Sequence, residues 1–216
     1  MTTKLHAPLA APIAEYLDVH LPLLDKYLYH AMLTLCLISR HCSIVTIQPT
    51  WNHCYSAVVY YTAFLLGHLF NTKLSLAWRR NNSLLCIGID PLVDQLPPAV
   101  MQCDKPFLTF AKAIVDSTQD LVCAYKFQIA YYSAVGRESE LSQSIAYIQH
   151  KYPHIPIILD AKRADIASTS KQYAIEAFER YQADGVTVNP YMGRDAVQPF
   201  LDYKEKATLV LCKTSN

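Results

Sequence analysis

One short stretch, residues 157–169, carries the residue types that could do chemistry. Its apolar start, Ile157–Leu159, is too short and too rich in β-branched residues for a helix and is typical of a buried strand. Asp160, Lys162 and Asp165 follow directly. Because side chains alternate between the two faces of a strand, Asp160 and Lys162 point the same way if the strand continues through them. The pattern predicts a carboxylate beside an ammonium group at the C-terminal end of a strand.

The same residues also have a purely structural interpretation. One lysine and one aspartate after a strand can form a surface ion pair on a βα connection, worth at most about 1 kcal/mol. A helix is expected to begin near Thr169, with Asp165, Ser168 and Thr169 available to cap or open it. Arg163 is expected to be solvated or to face a partner.

Composition excludes several classes of protein. The 216 residues are 52% hydrophobic and 17% charged, with a net charge of +1, so no charge excess indicates binding to nucleic acid or to a membrane surface. Seven cysteines are scattered without a Cys-x-x-Cys pair or a zinc-binding pattern. They predict reduced thiols in an intracellular protein and no metal site.

Residues 1–69 differ in character from the rest, and we expect them to form a mainly helical N-terminal extension of unknown role. Residues 54–69 have no formal charge outside His68. That run is shorter than the roughly 20 residues of a membrane span, and a secretory signal would begin at the N-terminus behind a basic flank. Membrane association is therefore not favoured, but a core helix and an extension joined upstream of a working domain both stay open.

From residue 70 onward, short apolar strands alternate with helices. Strands are predicted at 83–89, 121–125, 156–159, 185–188 and 207–212, and helices at 72–80, 106–118, 139–151, 169–181 and 195–203. This alternation favours a parallel sheet with helical cover. Five βα units without a dinucleotide-binding glycine motif predict the first part of a (β/α)8 TIM barrel. Because a complete barrel takes about 250 residues, we expect residues 70–216 to be a C-terminally truncated barrel domain.

The motif Asp-x-Lys-x-x-Asp-Ile-x-x-Thr at residues 160–169 resembles the signature of orotidine 5′-phosphate decarboxylase, the last enzyme of UMP synthesis. Its Asp-Ala-Lys-Arg form and Asn-Pro-Tyr-Met-Gly at 189–193 resemble the longer, second subfamily. Residues 85–91, 124–131 and 212–216 are similar to other strands of that family. The resemblance covers about residues 70–216. It implies a cytoplasmic homodimer that acts on orotidine 5′-monophosphate (OMP) with no metal or organic cofactor.

The resemblance also implies a role for each site residue. Lys162 would stabilise and then protonate the carbanion left at C6 when OMP loses CO₂ to become UMP. Asp160 would face the substrate carboxylate, and Asp165 would complete a Lys–Asp network across a dimer interface. The implied substrate contacts are Asp90 and Lys126 to the ribose hydroxyls, Ile166 and Thr169 at the neighbouring subunit's substrate, and Ser215 to the pyrimidine ring. Taken alone, Asp90 before Pro91 is also a natural turn former, and Lys126 could be a surface lysine.

The reaction itself explains these residue types. Loss of CO₂ leaves negative charge on an sp² carbon with little resonance help, and a fixed cation stabilises that charge as it develops.

Two alternatives stay open: another phosphosugar barrel decarboxylase or a Schiff-base aldolase using Lys162, and an inactive fragment led by residues 1–69. The family's phosphate-gripping loop and arginine have no counterpart up to Asn216, so we expect little or no activity from the chain as written.

Overall fold

The computed structural model describes residues 60–61 and 68–212, and their strands form one sheet. The strands are β1 (Tyr60–Tyr61), β2 (Cys86–Gly88), β3 (Ala124–Gln128), β4 (Ile157–Arg163), β5 (Gly185–Val188) and β6 (Ala207–Leu211). Their order is β1-β6-β5-β4-β3-β2. Strands β2 to β6 are parallel in sequence order, and β1 is antiparallel to β6.

Helices connect the parallel strands, as the alternating pattern predicts. They are α1 (His68–Asn81), α2 (Pro98–Met101), α3 (Pro106–Thr118), α4 (Ile129–Ser133), α5 (Glu138–Lys151), α6 (Ala167–Ile175) and α7 (Arg194–Leu201). Helix α6 runs directly into a π-helical turn, Glu176–Arg180. The observed bounds of α3 and β5 are the predicted ones.

Several predicted boundaries are wrong, and tertiary hydrogen bonds explain two of them. Strand β3 begins at Ala124 rather than at residue 121, because the side-chain amide of Asn81 donates hydrogen bonds to the carbonyl oxygens of Gln119 and Val122. Strand β4 continues to Arg163, past its predicted end at residue 159, because β5 supplies further partners there. Helix α6 begins at Ala167 with Ile166 at its N-cap and no side-chain cap, so Ser168 and Thr169 open the helix, and none of the three predicted residues caps it.

Alternate residues of the strands pack into two different cores. The outer core lies under the connecting helices and includes Tyr125, Phe127, Leu159, Val186 and Val188. The inner core contains residues of opposite parity, Cys86, Ala124, Ile158, Ala207 and Leu209, together with Phe70 and Leu74 of α1. Helix α1 therefore covers the inner face where the strands begin, and the inner face further along the strands is left for polar residues.

Two contacts fix α1 against the strands. The Lys73 ammonium group lies 2.7 Å from Oδ2 of Asp184, which also accepts the Ile157 N–H at 2.9 Å. A Cβ atom at Gly185 would lie 3.0 Å from Leu209 Cδ1 and 3.3 Å from Phe70 Cε2. The absence of a side chain at Gly185 therefore permits the close approach of α1.

The predicted N-terminal extension lies outside the described residues except for positions 60–61 and 68–69. Residues 60 and 61 pair with Leu211 and Val210 of β6. The proposed boundary between residues 69 and 70 falls in the first turn of α1 and stays a prediction. In the part of the chain that the structure describes, no helix has the length and apolar character needed to cross a bilayer.

Candidate active site

Four charged side chains of alternating sign line up at the C-terminal ends of β2, β3 and β4. The Lys126 ammonium group lies 3.3 Å from Oδ2 of Asp90 and 3.3 Å from Oδ2 of Asp160. The Lys162 ammonium group lies 2.7 Å from Oδ1 of Asp160. The C-terminal ends of parallel strands are where barrel enzymes place their chemistry, so the structure brings four of the predicted site residues together at the expected place.

Asp160 is the centre of this row. Its side chain is only 7% exposed, and each carboxylate oxygen contacts a different lysine. Burial raises the pKa of Asp160, but the charge of Lys126 and hydrogen bonds from Lys162 and Thr187 outweigh it, so the net pKa lies below the ordinary 3.8. Asp160 is therefore a carboxylate at neutral pH despite its burial.

Lys126 connects the two acids. Burial lowers its pKa, while the charges of Asp90 and Asp160 raise it by more, and the net pKa lies above the ordinary 10.5. Asp90 Oδ1 also accepts the backbone N–H of Gln128 at 3.1 Å, which ties the end of β2 to the end of β3. The Asp90 side chain remains 33% exposed, so a ligand hydroxyl could donate to its carboxylate.

Lys162 departs from strand geometry. Its φ is +47°, in the left-handed region that residues with a side chain rarely adopt, and the β4–β5 register shifts between Leu159 and Arg163. Such a backbone costs of order 1–3 kcal/mol and persists only where the surroundings enforce it. The side chain is 42% exposed, so its ammonium group is held by Asp160 while staying open to a ligand.

Thr187 of β5 is a site residue that the sequence did not reveal. Its Oγ1 accepts the N–H groups of Ala161 and Lys162, each at 3.0 Å, and donates to Asp160 Oδ1 at 2.8 Å. A threonine inside the apolar run Gly185–Val188 was the only available signal. A strand of that type usually carries apolar residues, so a hydroxyl on the inner face needs a polar partner.

The prediction that Arg163 is solvated is wrong, because its side chain is only 27% exposed and pairs within the chain, while the alternative that it faces a partner stays a prediction. Its guanidinium donates to Glu176 Oε2 from Nε at 3.2 Å and from Nη2 at 2.9 Å, and it lies over the Tyr173 ring at 4.4 Å from the centroid. Its carbonyl oxygen accepts the Asn189 N–H at 2.9 Å. Arg163, the residue that follows Lys162, is thus anchored to α6 and its π-helical turn.

Among the described residues, the other predicted site residues make no hydrogen bond or ion pair with this row. The Asp165 carboxylate accepts the Ile166 N–H at 2.8 Å, and no ion pair among the described residues includes it. Ile166 is 56% exposed, and Thr169 lies in the first turn of α6. Roles for these three stay predictions, and Ser215 lies outside the described residues.

The buried thiols of Cys86 and Cys123 are not candidate nucleophiles. Burial raises the pKa of Cys86 to about 12 and that of Cys123 to about 11. A thiol attacks as its thiolate, which these groups do not form near neutral pH. The chemistry available at this site is therefore that of fixed charges: an ammonium group that can stabilise a developing anion or donate a proton, held beside a buried carboxylate.

Comparison with known proteins identifies the family. The model of the orotidine 5′-phosphate decarboxylase / HUMPS family matches residues 83–216. The chain belongs to this family. The resemblance inferred from residues 160–169 and the other strand ends is thereby confirmed.

Individual members of the orotidine 5′-phosphate decarboxylase / HUMPS family agree with this. The orotidine 5′-phosphate decarboxylase of Cellvibrio japonicus is 60% identical over 149 residues, which are 68% of this chain and 55% of that protein. The enzyme of Ralstonia nicotianae is 56% identical over 147 residues, 68% of this chain and 54% of that protein. The chain spans about half the length of the curated relatives it matches.

A solved structure supports the fold. The crystal structure of a Toxoplasma gondii protein, provisionally named an orotidine-monophosphate-decarboxylase, superposes with a TM-score of 0.62 at 41% identity. The match covers 67% of this chain and 49% of that one. The prediction of the first five βα units of a TIM barrel is confirmed by this likeness and by the parallel order of β2 to β6.

Proposed function

We propose that this chain carries the catalytic residues for decarboxylation of OMP to UMP. The observation that supports the proposal most directly is the Lys162 ammonium group, exposed at the strand end and 2.7 Å from the buried Asp160 carboxylate. Membership of the family and the identity to named decarboxylases support the same reaction. The product places the enzyme in pyrimidine nucleotide synthesis, and we propose a cytoplasmic location.

In the proposed reaction the bond between C6 and the carboxyl carbon breaks, and its electron pair stays on C6. The Lys162 ammonium group stabilises that charge and then transfers a proton to C6, giving UMP and CO₂. Neutral Lys162 regains its proton from water. Each step uses a side chain of this chain, and the proposal assigns no role to a metal or organic cofactor.

Asp160 has two effects in this scheme. Its negative charge holds Lys162 in position before substrate binds. It also faces the substrate carboxylate, and the repulsion between the two is relieved when CO₂ leaves. Burial raises the pKa of Asp160 in the ligand-free chain, but the charge of Lys126 and hydrogen bonds from Lys162 and Thr187 bring it below the ordinary 3.8, so Asp160 meets the substrate as a carboxylate.

The substrate contacts in the proposal follow the positions of the other residues. Asp90 and Lys126 bind the ribose hydroxyls, since both present polar atoms at the ends of neighbouring strands. Ser215 binds the pyrimidine ring. In a homodimer, Asp165, Ile166 and Thr169 of one subunit reach the substrate of the other, which is compatible with the exposure of Ile166, the partial exposure of Asp165 and Thr169, and the absence of an Asp165 ion pair among the described residues.

A Schiff-base aldolase using Lys162 is the second possibility that the sequence leaves open. An aldolase lysine attacks as the free amine. Here the Lys162 amine is one half of a 2.7 Å ion pair, an arrangement that suits a proton donor better than a nucleophile. Borohydride trapping of a lysine adduct with a carbonyl substrate would favour the aldolase.

Binding of 6-hydroxy-UMP, whose ring oxyanion mimics the charge at C6, tests the proposal on the 216-residue chain. We expect calorimetry to show binding that Lys162→Ala weakens by about 10- to 100-fold, the value of a hydrogen bond to a charged group. Lys171→Ala, at an exposed position on the outside of α6, is the control and should bind like the wild type.

Turnover provides the second measurement. Decay of the OMP absorbance should be faster with the wild-type chain than with Lys162→Ala. A folded wild-type chain that neither binds 6-hydroxy-UMP nor consumes OMP would refute the proposal. Equal binding by the wild type and Lys162→Ala would refute the role of Lys162.

A further inference from the structure

A single hydroxyl group on β5 contacts both members of the Asp160–Lys162 pair. Thr187 is fully buried, and its Oγ1 accepts two backbone N–H groups, those of Ala161 and Lys162. The same oxygen donates its proton to Asp160 Oδ1 at 2.8 Å. A threonine hydroxyl has one proton and two lone pairs, so all of its hydrogen-bonding capacity is directed at three consecutive residues of β4.

The strand pairing shows why a side chain is needed there. Leu159 pairs with Val186, and pairing resumes only at Arg163 with Val188. Three residues of β4 therefore lie opposite a single residue of β5, Thr187. Buried backbone N–H groups must find acceptors, and the Thr187 hydroxyl replaces the carbonyl oxygen that a regular parallel ladder would supply.

This arrangement fixes the site in two ways. The bond to the Lys162 N–H constrains a residue whose φ is +47°, and that backbone angle sets the direction in which the side chain leaves β4. The bond to Asp160 Oδ1 constrains the oxygen that accepts the Lys162 ammonium group. One atom on the neighbouring strand, Oγ1 of Thr187, therefore contacts both Asp160 and Lys162.

We propose that Thr187 is a positioning residue that holds the Lys162 backbone and the Asp160 carboxylate in their reactive arrangement. The proposal rests on the function proposed above for Lys162 and Asp160. Thr187 contacts no reacting atom in this scheme and acts only through those two residues. Its methyl group contributes packing, and its hydroxyl contributes the positioning.

The substitutions follow from the atoms involved. Thr187→Val keeps the shape of the side chain and removes the hydroxyl, whereas Thr187→Ser keeps the hydroxyl and removes the methyl group. Thr208→Val is the matched control, because Thr208 is a buried threonine on β6 whose side chain makes no hydrogen bond to any of the described residues. A structural role of buried threonines in general would affect Thr187→Val and Thr208→Val alike.

Amide hydrogen exchange, resolved by NMR on the ligand-free 216-residue chain, tests the positioning without substrate. The Ala161 and Lys162 amides should be protected in the wild type. Thr187→Val should speed their exchange by about tenfold relative to other β4 amides, from the loss of one hydrogen bond each. Thr187→Ser and Thr208→Val should leave it within about threefold of the wild type. Unchanged exchange in Thr187→Val would overturn the proposal.

Kinetics with OMP tests the consequence for the reaction. Thr187→Val should lower kcat by about tenfold or more with a smaller change in KM, and Thr187→Ser should recover most of kcat. Equal kcat for the wild type and Thr187→Val would overturn the inference while leaving the proposed function intact. A wild type that neither binds 6-hydroxy-UMP nor consumes OMP, but shows the expected exchange pattern, would overturn the proposed function alone. If Thr187→Val does not fold, exchange of the wild-type Ala161 and Lys162 amides at the rate of an unprotected chain would by itself overturn the positioning.

Discussion

The ammonium group of Lys162 lies 2.7 Å from Oδ1 of Asp160, although Lys162 has left the extended conformation that would make the two side chains parallel. Strand alternation predicts their proximity, but the observed contact arises differently. A left-handed residue turns the lysine back over the carboxylate, and β5 holds the backbone there. The contact therefore depends on the neighbouring strand, and the variants below separate the local contributions from the tertiary ones.

Lys126→Met should weaken binding of 6-hydroxy-UMP by about tenfold while keeping most of the apolar stem of the side chain. The reason is that the substitution removes the cation that bridges Asp90 and Asp160 and that we propose to contact the ribose. Calorimetric titration measures the effect, with Lys171→Met as the control. Wild-type affinity in a folded Lys126→Met chain would exclude Lys126 from the substrate site.

The stability of the chain should depend on pH through Asp160. Because its pKa is lower in the folded chain than the ordinary 3.8, the unfolded chain binds its proton more readily, and the carboxylate stabilises the fold at pH values above 3.8. That contribution is lost as the pH falls through the lowered pKa. Urea unfolding at pH values from about 6 to about 3 should show a steeper loss of stability for the wild type than for Asp160→Asn.

Asp120→Asn is the control for that comparison, because Asp120 is exposed and belongs to no ion pair among the described residues. Its pH profile should follow that of the wild type. Parallel profiles for the wild type and Asp160→Asn would show that the Asp160 carboxylate does not contribute to acid stability.

Glu140→Ala should destabilise the fold by about 2–3 kcal/mol. The Glu140 carboxylate is buried and accepts the N–H groups of Phe107 and Leu108, at 2.9 and 3.0 Å, at the N-terminus of α3. It also pairs with Arg137. Its removal leaves two buried donors and a cation without their acceptor. Urea unfolding at neutral pH gives the difference, and Glu138→Ala, in the same first turn of α5, should cost much less.

Glu176→Gln should lower the free energy of unfolding by about 1 kcal/mol, the range for a partly exposed ion pair. It removes the charge that holds the Arg163 guanidinium on the π-helical turn. Glu205→Gln, at an exposed position before β6, should have no measurable effect. An equal effect of the two substitutions in urea unfolding would show that the Arg163 contact does not stabilise the end of β4.

The sequence alone determined the fold class and the position of the row of charged side chains at the strand ends. Helix α3 and strand β5 have their predicted bounds because Pro106 starts the helix and Gly185 starts the strand, and a mainly apolar pattern follows each of them. Asp90, Lys126 and Asp160 follow apolar strands, and parallel pairing brings such ends to one edge of the sheet. These features depend on neighbours in the chain, so local patterns predict them.

Tertiary structure alone decided how the site is held. The partners of the Thr187 hydroxyl lie 25 to 27 residues away on another strand, and the Arg163 guanidinium depends on a helix 13 residues away. The sign of φ at Lys162 depends on the register shift between β4 and β5. Register is set by how whole strands fit together rather than by the order of neighbouring residues, which is why the composition of β4 predicts an ion pair but not the backbone geometry that holds it.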